Sequence, residues 1–170
     1  MNLLKSTKLL AALLLSSSAA VYLTSCSDDD DHDFTPTTDF VNELNKLYPN
    51  VDAEWETRHN NYRVAEFDKM GDEYEVWFSK EGQWVMTEID YEAPYTNVPA
   101  DIMTAFYGSE YGEWAIDDID YYERASDSFY IFDVEQRGQY DMDVYFDADG
   151  NFIKAERDTD IDIRPSTVIK

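Results

Sequence analysis

The sequence has little sulfur and little positive charge. It contains one cysteine, Cys26, so an internal disulfide is excluded and a hydrophobic core must supply the stability. It has 13 Lys and Arg against 37 Asp and Glu, which gives a net charge of −24. A field of this sign repels nucleic acid and anionic membrane surfaces, and it favours solubility, cations and basic partners. The composition therefore argues against a nucleic-acid-binding protein.

The high charge does not predict disorder. The chain has 13 Tyr, 9 Phe and 4 Trp, far more aromatic side chains than a disordered polyelectrolyte carries. Once a leader and a polar segment are set aside, about 130 residues remain, enough to bury one core or two small ones that share a wall. We therefore expect a folded part of that size.

Long apolar runs are also missing. The run 9–15 is too short to span a bilayer, and serines follow it. It lies between a short basic start and the segment Leu23-Thr24-Ser25-Cys26, which is the order of a secretory signal. That segment resembles the lipobox of bacterial lipoproteins, in which the cysteine thiol is alkylated by a diacylglyceryl group. The sequence thus predicts a signal peptide over 1–25 and lipid attachment at Cys26.

An acidic segment follows the predicted cleavage site. Residues 26–37 contain the run Asp28-Asp29-Asp30-Asp31, and a block of like charges stays extended and solvated, which predicts a disordered tether. The run resembles the acidic tag by which some Gram-negative bacteria export lipoproteins, although a plain spacer would have the same composition. We expect a surface-exposed outer membrane lipoprotein, and a periplasm-facing lipoprotein is the alternative.

The folded part contains a duplicated pattern. Residues 76–85 read Val-Trp-Phe-Ser-Lys-Glu-Gly-Gln-Trp-Val and align with residues 144–153, Val-Tyr-Phe-Asp-Ala-Asp-Gly-Asn-Phe-Ile, at a constant offset of 68. A period of this length indicates two copies of one supersecondary unit. We predict a first repeat over 38–92, a second over 93–158 and a C-terminal tail over 159–170.

Each predicted repeat begins with a helix and continues as four strands. The first helix starts at Thr38 or Asp39 and ends before Pro49, and the second follows Pro99. Alternation of polar and apolar residues predicts strands over 51–56, 62–68, 73–78, 83–90, 114–123, 129–135, 140–146 and 151–157. The predicted fold class is α+β, a tandem repeat of a helix followed by a four-stranded antiparallel sheet, with the helices on one side of the sheets.

Several short motifs resemble those of one known family. They are Leu47-Tyr48-Pro49, Glu75-Val76-Trp77-Phe78 with Gly82-Gln83-Trp84, and Val98-Pro99-Ala100-Asp101-Ile102. They are similar to the PepSY-like lipoproteins, also called β-lactamase-inhibitor-like, and the resemblance covers residues 38–158. It implies an α+β tandem repeat whose sheet presents a concave face. Its motifs are turns and core aromatics, which identify a fold rather than an activity.

The polar residues form no recognisable catalytic group. Asp118 and Asp120 lie on one side of a predicted strand, either as a solvated face or as paired carboxylates, and nothing pairs with them to define a reaction. No sequence pattern pairs His59 with a nucleophile or with an acid that would orient its ring, as a catalytic triad requires. The turn 147–151 lacks the ligands of an EF-hand loop and is typical of a hairpin with a left-handed glycine. We expect no enzyme activity, no cofactor and no metal site.

The aromatic residues give a more useful pattern. In the hairpin geometry, Phe78 and Phe146 lie on the helix-covered face of the sheet. The same geometry places four candidate partner-binding residues on the opposite face: Trp77, Val85, Tyr145 and Ile153. These four form either a second buried layer where the two units touch or an exposed platform for a partner.

The sequence supports one principal function and one alternative. We expect a non-enzymatic, lipid-anchored binding module of the cell envelope or surface, which takes a protein or peptide on the sheet face away from the helices. The alternative is a structural or accessory envelope lipoprotein that packs within a larger assembly and has no binding activity of its own. In both, the lipid anchor alone contacts the membrane, and nucleic acid is not a partner.

Overall fold

The structure is a computed structural model that describes residues 32–159 and 163–169. The predicted signal peptide, the predicted lipid-attachment residue Cys26 and the acidic run that follows it lie outside the described residues, as do residues 160–162 and Lys170. Within the described ranges, no helix has the length and apolar character needed to cross a membrane.

Two α-helices and nine strands make up the described part of the chain. The helices are α1, Thr38–Leu47, and α2, Ala100–Tyr107. The strands are β1 His32–Asp33, β2 Glu54–Arg58, β3 Tyr62–Lys69, β4 Asp72–Phe78, β5 Trp84–Asp90, β6 Ala115–Arg124, β7 Ser128–Glu135, β8 Met142–Asp147 and β9 Phe152–Arg157. All of them except β1 lie within three residues of a predicted element.

The nine strands form one antiparallel sheet in the order β1 to β9. The predicted fold class is therefore wrong, because the chain does not form a tandem of helices that each have their own four-stranded sheet. β5 pairs with β6 from Met86↔Arg124 to Asp90↔Asp120, which joins the two halves. Two separate sheets would have left the backbone N–H and C=O groups of β5 and β6 unpaired at exposed edges, and their pairing removes that cost.

Both helices pack on the same face of the sheet, here named the helix face. α1 buries Phe40 and Leu44 against β3 and β4. α2 buries Ile102 and Phe106 against β6, β7 and β8. Tyr74 of β4 packs against both groups of core residues, so the two groups share one layer. The stability of the sheet therefore depends on one continuous layer of apolar contacts beneath the two helices.

The described end of the predicted tether is ordered. Its strand β1 pairs with β2 at the edge of the sheet. Phe34 then packs edge-on against Phe40 of α1, with ring centroids 5.3 Å apart. Disorder predicted over 26–37 does not hold for this end, because the Phe34 ring leaves water by packing on the core.

The C-terminal residues lie on the opposite face, here named the tail face. Ile163 is 8% exposed and joins an apolar cluster of sheet residues on this face. The sheet residues buried in this cluster, named the apolar strip, are Val64, Trp77, Met86, Tyr122, Phe129, Ile131 and Tyr145. The tail face is thus part apolar, where the tail covers it, and part strongly acidic.

Candidate binding site

Each strand from β2 to β8 carries an apolar or aromatic residue between two acids. Because side chains alternate along a strand, the middle residue points to the helix face and both acids point to the tail face. The middle residues pack accordingly in the helix-face core: Trp55, Phe67, Tyr74, Ile89, Ile119, Val134 and Met142. The acids are Glu54 and Glu56, Glu66 and Asp68, Glu73 and Glu75, Glu88 and Asp90, Asp118 and Asp120, Asp133 and Glu135, and Asp143 with Asp141 just before β8.

The register of the sheet places these acids directly opposite one another. Three cross-strand rows of four carboxylates result. They are Glu54–Glu66–Glu75–Glu88, Asp68–Glu73–Asp90–Asp120 and Asp118–Asp133–Asp143–Glu156. Like charges directly opposite in a sheet are destabilising. Any positive charge brought to the tail face therefore stabilises it.

Arg58 supplies part of that positive charge. Its guanidinium forms ion pairs with Glu56 and Glu66 and donates to Oε2 of Glu75 over 2.5 Å. The same group lies over the ring of Trp77, with Cζ 5.5 Å from the centroid. These contacts partly neutralise Glu66 and Glu75, the two middle members of the first row, and among the described ion pairs Arg58 has none with the other two rows.

A cavity of about 590 Å³ lies over the middle of the tail face. Eight carboxylates line it: Glu75, Glu88, Asp90, Asp118, Asp120, Asp133, Asp143 and Asp158. Of the described residues that line it, Arg58 and Arg164 are the permanently charged cations, and His59 lies beside them. The cavity is therefore a concave, strongly negative site, in which low-dielectric walls strengthen the attraction for a cation.

Burial and mutual repulsion keep protons on several of these carboxylates. Burial, with repulsion from Glu75 added, raises the pKa of Glu88 to about 8. Burial, followed by repulsion from Glu88, raises the pKa of Asp120 well above its usual value. Burial and the neighbouring Asp118 raise the pKa of Asp90 to about 6. A cation that enters the cavity must therefore displace protons from these groups.

Three of the carboxylates are close enough to share one cation. One oxygen from each of Asp90, Asp118 and Asp120 lies within 4.8 Å of the other two. Asp133, which pairs with Asp118 across the strands, has a buried Oδ1 that receives no hydrogen bond from the described residues. A buried oxygen without a donor costs free energy. A ligand that donates hydrogen bonds and carries positive charge is thus most stabilising here.

The turn between β8 and β9 is a self-contained hairpin. Gly150 has a φ of 80°, in the left-handed region that favours glycine. Oδ1 of Asp147 accepts hydrogen bonds from the backbone N–H groups of Asp149 and Asn151, over 3.0 and 2.8 Å. The side chain of Asn151 also donates to this carboxylate and lowers the pKa of Asp147. The carboxylate of Asp147 is thus used to stabilise the turn.

The four predicted partner-binding residues lie in different surroundings. Trp77 and Tyr145 are only 5% and 3% exposed and belong to the apolar strip. Val85 is half-buried against the strip, whereas Ile153 is 38% exposed. An exposed platform is thus not formed at Trp77 and Tyr145. These two residues form a second buried layer, and its cover is the C-terminal tail rather than a contact between two units.

Sequence reasoning found Asp118 and Asp120 on one strand face and missed the acids that surround them. Glu88, Asp90 and Asp133 belong to the same cavity and received no role. The available signal was the acid–apolar–acid spacing that recurs on successive strands. On any single strand this spacing is typical of an ordinary solvated sheet face. Only its repetition on neighbouring strands indicates a shared acidic surface.

The family described as "Putative beta-lactamase-inhibitor-like, PepSY-like" matches residues 60–154. The chain belongs to this family. The resemblance inferred from the sequence motifs is therefore confirmed. The residues matched to the PepSY-like family include β3 to β8 in full, and with them every cavity carboxylate except Asp158.

Three solved structures from Bacteroides species share the fold. A BLIP-like protein from Bacteroides fragilis is 30% identical, with a TM-score of 0.67 over 79% of this chain and 96% of that one. A DUF2874 family protein from Bacteroides uniformis is 28% identical, with a TM-score of 0.61 over 73% and 90%. A structure from Bacteroides eggerthii, described as "putative periplasmic proteins", is 23% identical, with a TM-score of 0.59 over 73% and 90%. A comparison with curated proteins gave no match.

Proposed function

We propose that this chain is a non-enzymatic binding protein of the cell envelope, which holds a cationic segment of a protein or peptide in the acidic cavity of the tail face. The observation that carries the proposal is the set of three cross-strand rows of four carboxylates, in which the ion pairs among the described residues reach only Glu66, Glu75 and Glu156. A cationic segment replaces repulsion between these carboxylates with attraction. The acidic field also steers such a segment toward the cavity from solution.

The lining of the cavity favours binding over catalysis. Its volume of about 590 Å³ suits one or a few side chains of a larger ligand. None of the described residues that line it is Ser, Thr, Cys or Lys, so it offers no nucleophile for a mechanism based on a hydroxyl of Ser or Thr, a thiol or an amine. The family is named for likeness to an inhibitor, whose action is to bind another protein. We therefore assign the carboxylates to recognition of positive charge.

Ligand affinity is expected to depend on pH. The deprotonated cavity attracts a cation more strongly than the protonated cavity, and the pKa values of Asp90 and Glu88 are raised to about 6 and about 8. Affinity should therefore rise between pH 6 and pH 8 as these groups lose their protons. Binding of the cation should release protons, which calorimetry in buffers of different ionisation enthalpy measures.

A direct test measures the binding of a fluorescent ten-residue lysine–serine peptide to the full chain by anisotropy at low salt. The cavity variant carries Asp118→Asn and Asp120→Asn. The control variant carries Glu110→Gln and Asp149→Asn, which remove the same number of carboxyl groups from exposed positions outside the cavity. We expect the cavity variant to bind about tenfold more weakly, a loss of about 1.4 kcal/mol, and the control to bind within twofold of wild type.

Two results would overturn the proposed site. Equal weakening in both variants would mean that only the overall negative charge attracts the peptide. Absence of binding by the wild-type chain would leave the alternative of a structural or accessory envelope protein. A glutamate–serine peptide of the same length checks the sign of the interaction and should not bind.

We further propose that the chain is anchored to the membrane through a lipid on Cys26. The predicted lipobox supports this. The Bacteroides eggerthii structure is described as "putative periplasmic proteins", which fits export from the cytoplasm and carries no information on a lipid. Metabolic labelling with palmitate should label the wild-type chain, and Cys26→Ala should abolish the label and move the chain out of the membrane fraction. Protease digestion of intact cells then separates surface exposure, which we expect, from a periplasm-facing location.

A further inference from the structure

The C-terminal residues fold into a turn that lies on the tail face. The backbone N–H of Thr167 donates to the carbonyl of Arg164 over 2.8 Å, and the N–H of Arg164 donates to Oγ1 of Thr167 over 2.9 Å. Ile163 precedes this turn and is 8% exposed, whereas Val168 follows it and is 69% exposed. Ile163 is thus buried against the sheet, Val168 points into solvent, and Ile169 is partly buried against the same apolar cluster.

A buried arginine of the sheet holds the backbone of this turn. The side chain of Arg124 is 5% exposed, and it donates from Nε and Nη2 to the two carboxylate oxygens of Asp127, over 2.8 and 2.9 Å. Its remaining nitrogen, Nη1, donates to the carbonyl oxygen of Thr167 over 2.5 Å. If the tail left, this buried donor would need another carbonyl oxygen, since an unpaired buried donor costs about 1–3 kcal/mol.

The side chains of the tail match the two halves of the tail face. Ile163 packs in the apolar strip with Trp77 and Tyr145. The next residue, Arg164, lines the acidic cavity. The face therefore receives three chemically distinct parts of one short segment: a branched aliphatic side chain, a basic side chain and a backbone carbonyl.

We propose that the apolar strip and the acidic cavity form one peptide-binding groove, that its ligand is a segment with a branched aliphatic residue followed by Arg or Lys, and that the chain's own residues 163–167 occupy the groove until such a segment displaces them. This inference rests on the proposed function and names its ligand class. Arg124 binds a backbone carbonyl, which every residue carries, so the groove accepts different residues at the other positions of the ligand.

Occupation by the tail lowers the apparent affinity for an external segment. A site that is open for only a fraction of the time binds a ligand more weakly by that fraction. A tethered segment competes at an effective concentration in the millimolar range, so even a weakly held tail blocks weak ligands. Release of the tail by mutation should therefore increase the affinity for an external peptide.

The test uses a labelled synthetic peptide with the sequence of residues 159–170 and the full chain in three forms. These are wild type, Ile163→Asp, which places a charge in the apolar strip, and Val168→Asp, which makes the same change at an exposed position of the same tail. We expect Ile163→Asp to bind the peptide about tenfold more tightly than wild type or Val168→Asp do. A peptide with Arg164→Glu should lose this binding.

Equal peptide affinity of all three chains, or tight binding of the Arg164→Glu peptide, would overturn the inference. If the lysine–serine peptide binds to the acidic cavity but the tail peptide does not bind to the Ile163→Asp chain, the proposed function stands and the groove assignment fails. If neither peptide binds to any form, both fail. Circular dichroism should show that the Ile163→Asp chain keeps its sheet, which separates release of the tail from unfolding.

A second measurement uses only the wild-type chain and so does not depend on the folding of a variant. Hydrogen exchange is followed at the amides of Arg164 and Thr167, both of which are hydrogen-bonded within the turn. Saturation with an unlabelled synthetic peptide of residues 159–170, which carries the aliphatic and basic residues of the proposed ligand, should speed their exchange in the isotope-labelled chain at least fivefold and leave the amides of β7 unchanged. Slower or unchanged exchange at these two amides in the presence of bound peptide would show that the tail is not displaced.

Discussion

The hydroxyl of Tyr122 donates a hydrogen bond of 2.8 Å to the carboxyl group of Glu88, directly across the β5–β6 pair that joins the two halves of the sheet. Burial raises the pKa of both groups, and that of Glu88 reaches about 8. The strand pairing that unites the sheet therefore also places a protonatable carboxyl group at the floor of the acidic cavity.

The stability of the protein is expected to fall as pH rises. Unfolding returns Glu88 to a pKa near 4.5, so between this value and about 8 the folded state holds a proton that the unfolded state has lost. This contribution is fully present below about pH 4.5 and is lost as pH rises to about 8, with a slope of at most about 1.4 kcal/mol per pH unit for one group. Urea unfolding at pH 5, 6.5 and 8 measures it.

Glu88→Gln isolates the contribution of this residue. The amide resembles the protonated carboxyl group, so the variant should be at least about 1 kcal/mol more stable than wild type at pH 8 and should show a flatter pH dependence. Glu81→Gln, at a side chain that is 62% exposed, is the matched control and should follow wild type. Parallel pH curves for wild type and Glu88→Gln would contradict the assignment.

Trp77→Ala is expected to destabilise the chain by about 3–5 kcal/mol, because it empties a well-packed site. Trp77 is 5% exposed, and its indole N–H donates to Glu75 over 3.1 Å. Ile153→Ala, at a position 38% exposed on the edge strand, should cost less than about 1 kcal/mol. Thermal and urea unfolding compare the two variants. If both substitutions changed stability by a similarly small amount, the interpretation of Trp77 as part of an exposed platform would be favoured again.

Phe106→Ala tests the packing of α2 on the sheet. Phe106 and Phe132 are fully buried, and their rings stack with centroids 4.5 Å apart and an angle of 3° between planes. Loss of the ring should cost about 3–5 kcal/mol in the free energy of unfolding. Tyr107→Ala, one residue later and 60% exposed, is the control and should change stability little. Equal effects would show that α2 does not anchor the core through Phe106.

Arg58→Met should destabilise the sheet more at high pH than at low pH. The change removes the cation shared by Glu56, Glu66 and Glu75, so the three negative charges repel one another. We expect the free energy of unfolding to fall by about 2 kcal/mol at pH 8. Burial raises the pKa of Glu66 to about 7, so this repulsion is weaker at pH 5. Arg137→Met, at an exposed loop position, removes the same charge and should be neutral at both pH values. A cost that does not vary with pH would argue against the repulsion.

The positions of the helices and strands could be predicted because their signals are local. Pro49 and Pro99 mark a helix end and a helix start through their own backbone chemistry. The spacing of Glu88, Ile89 and Asp90 needs only that neighbouring side chains in a strand point to opposite faces. The lipobox at Cys26 is likewise a contiguous pattern. For the same reason, sequence reasoning identified Asp118 and Asp120 as sharing one strand face.

What the sequence by itself determined is therefore the set of elements, the faces of each strand and the acidity of one face. The tertiary structure alone decided that β5 and β6 pair, that Asp90 lies opposite Asp120, and that Ile163 covers the apolar strip. Cross-strand register is set by backbone hydrogen bonds and by packing of the whole sheet, so no single strand encodes it. The cavity exists because that register brings carboxylates from five strands to one place.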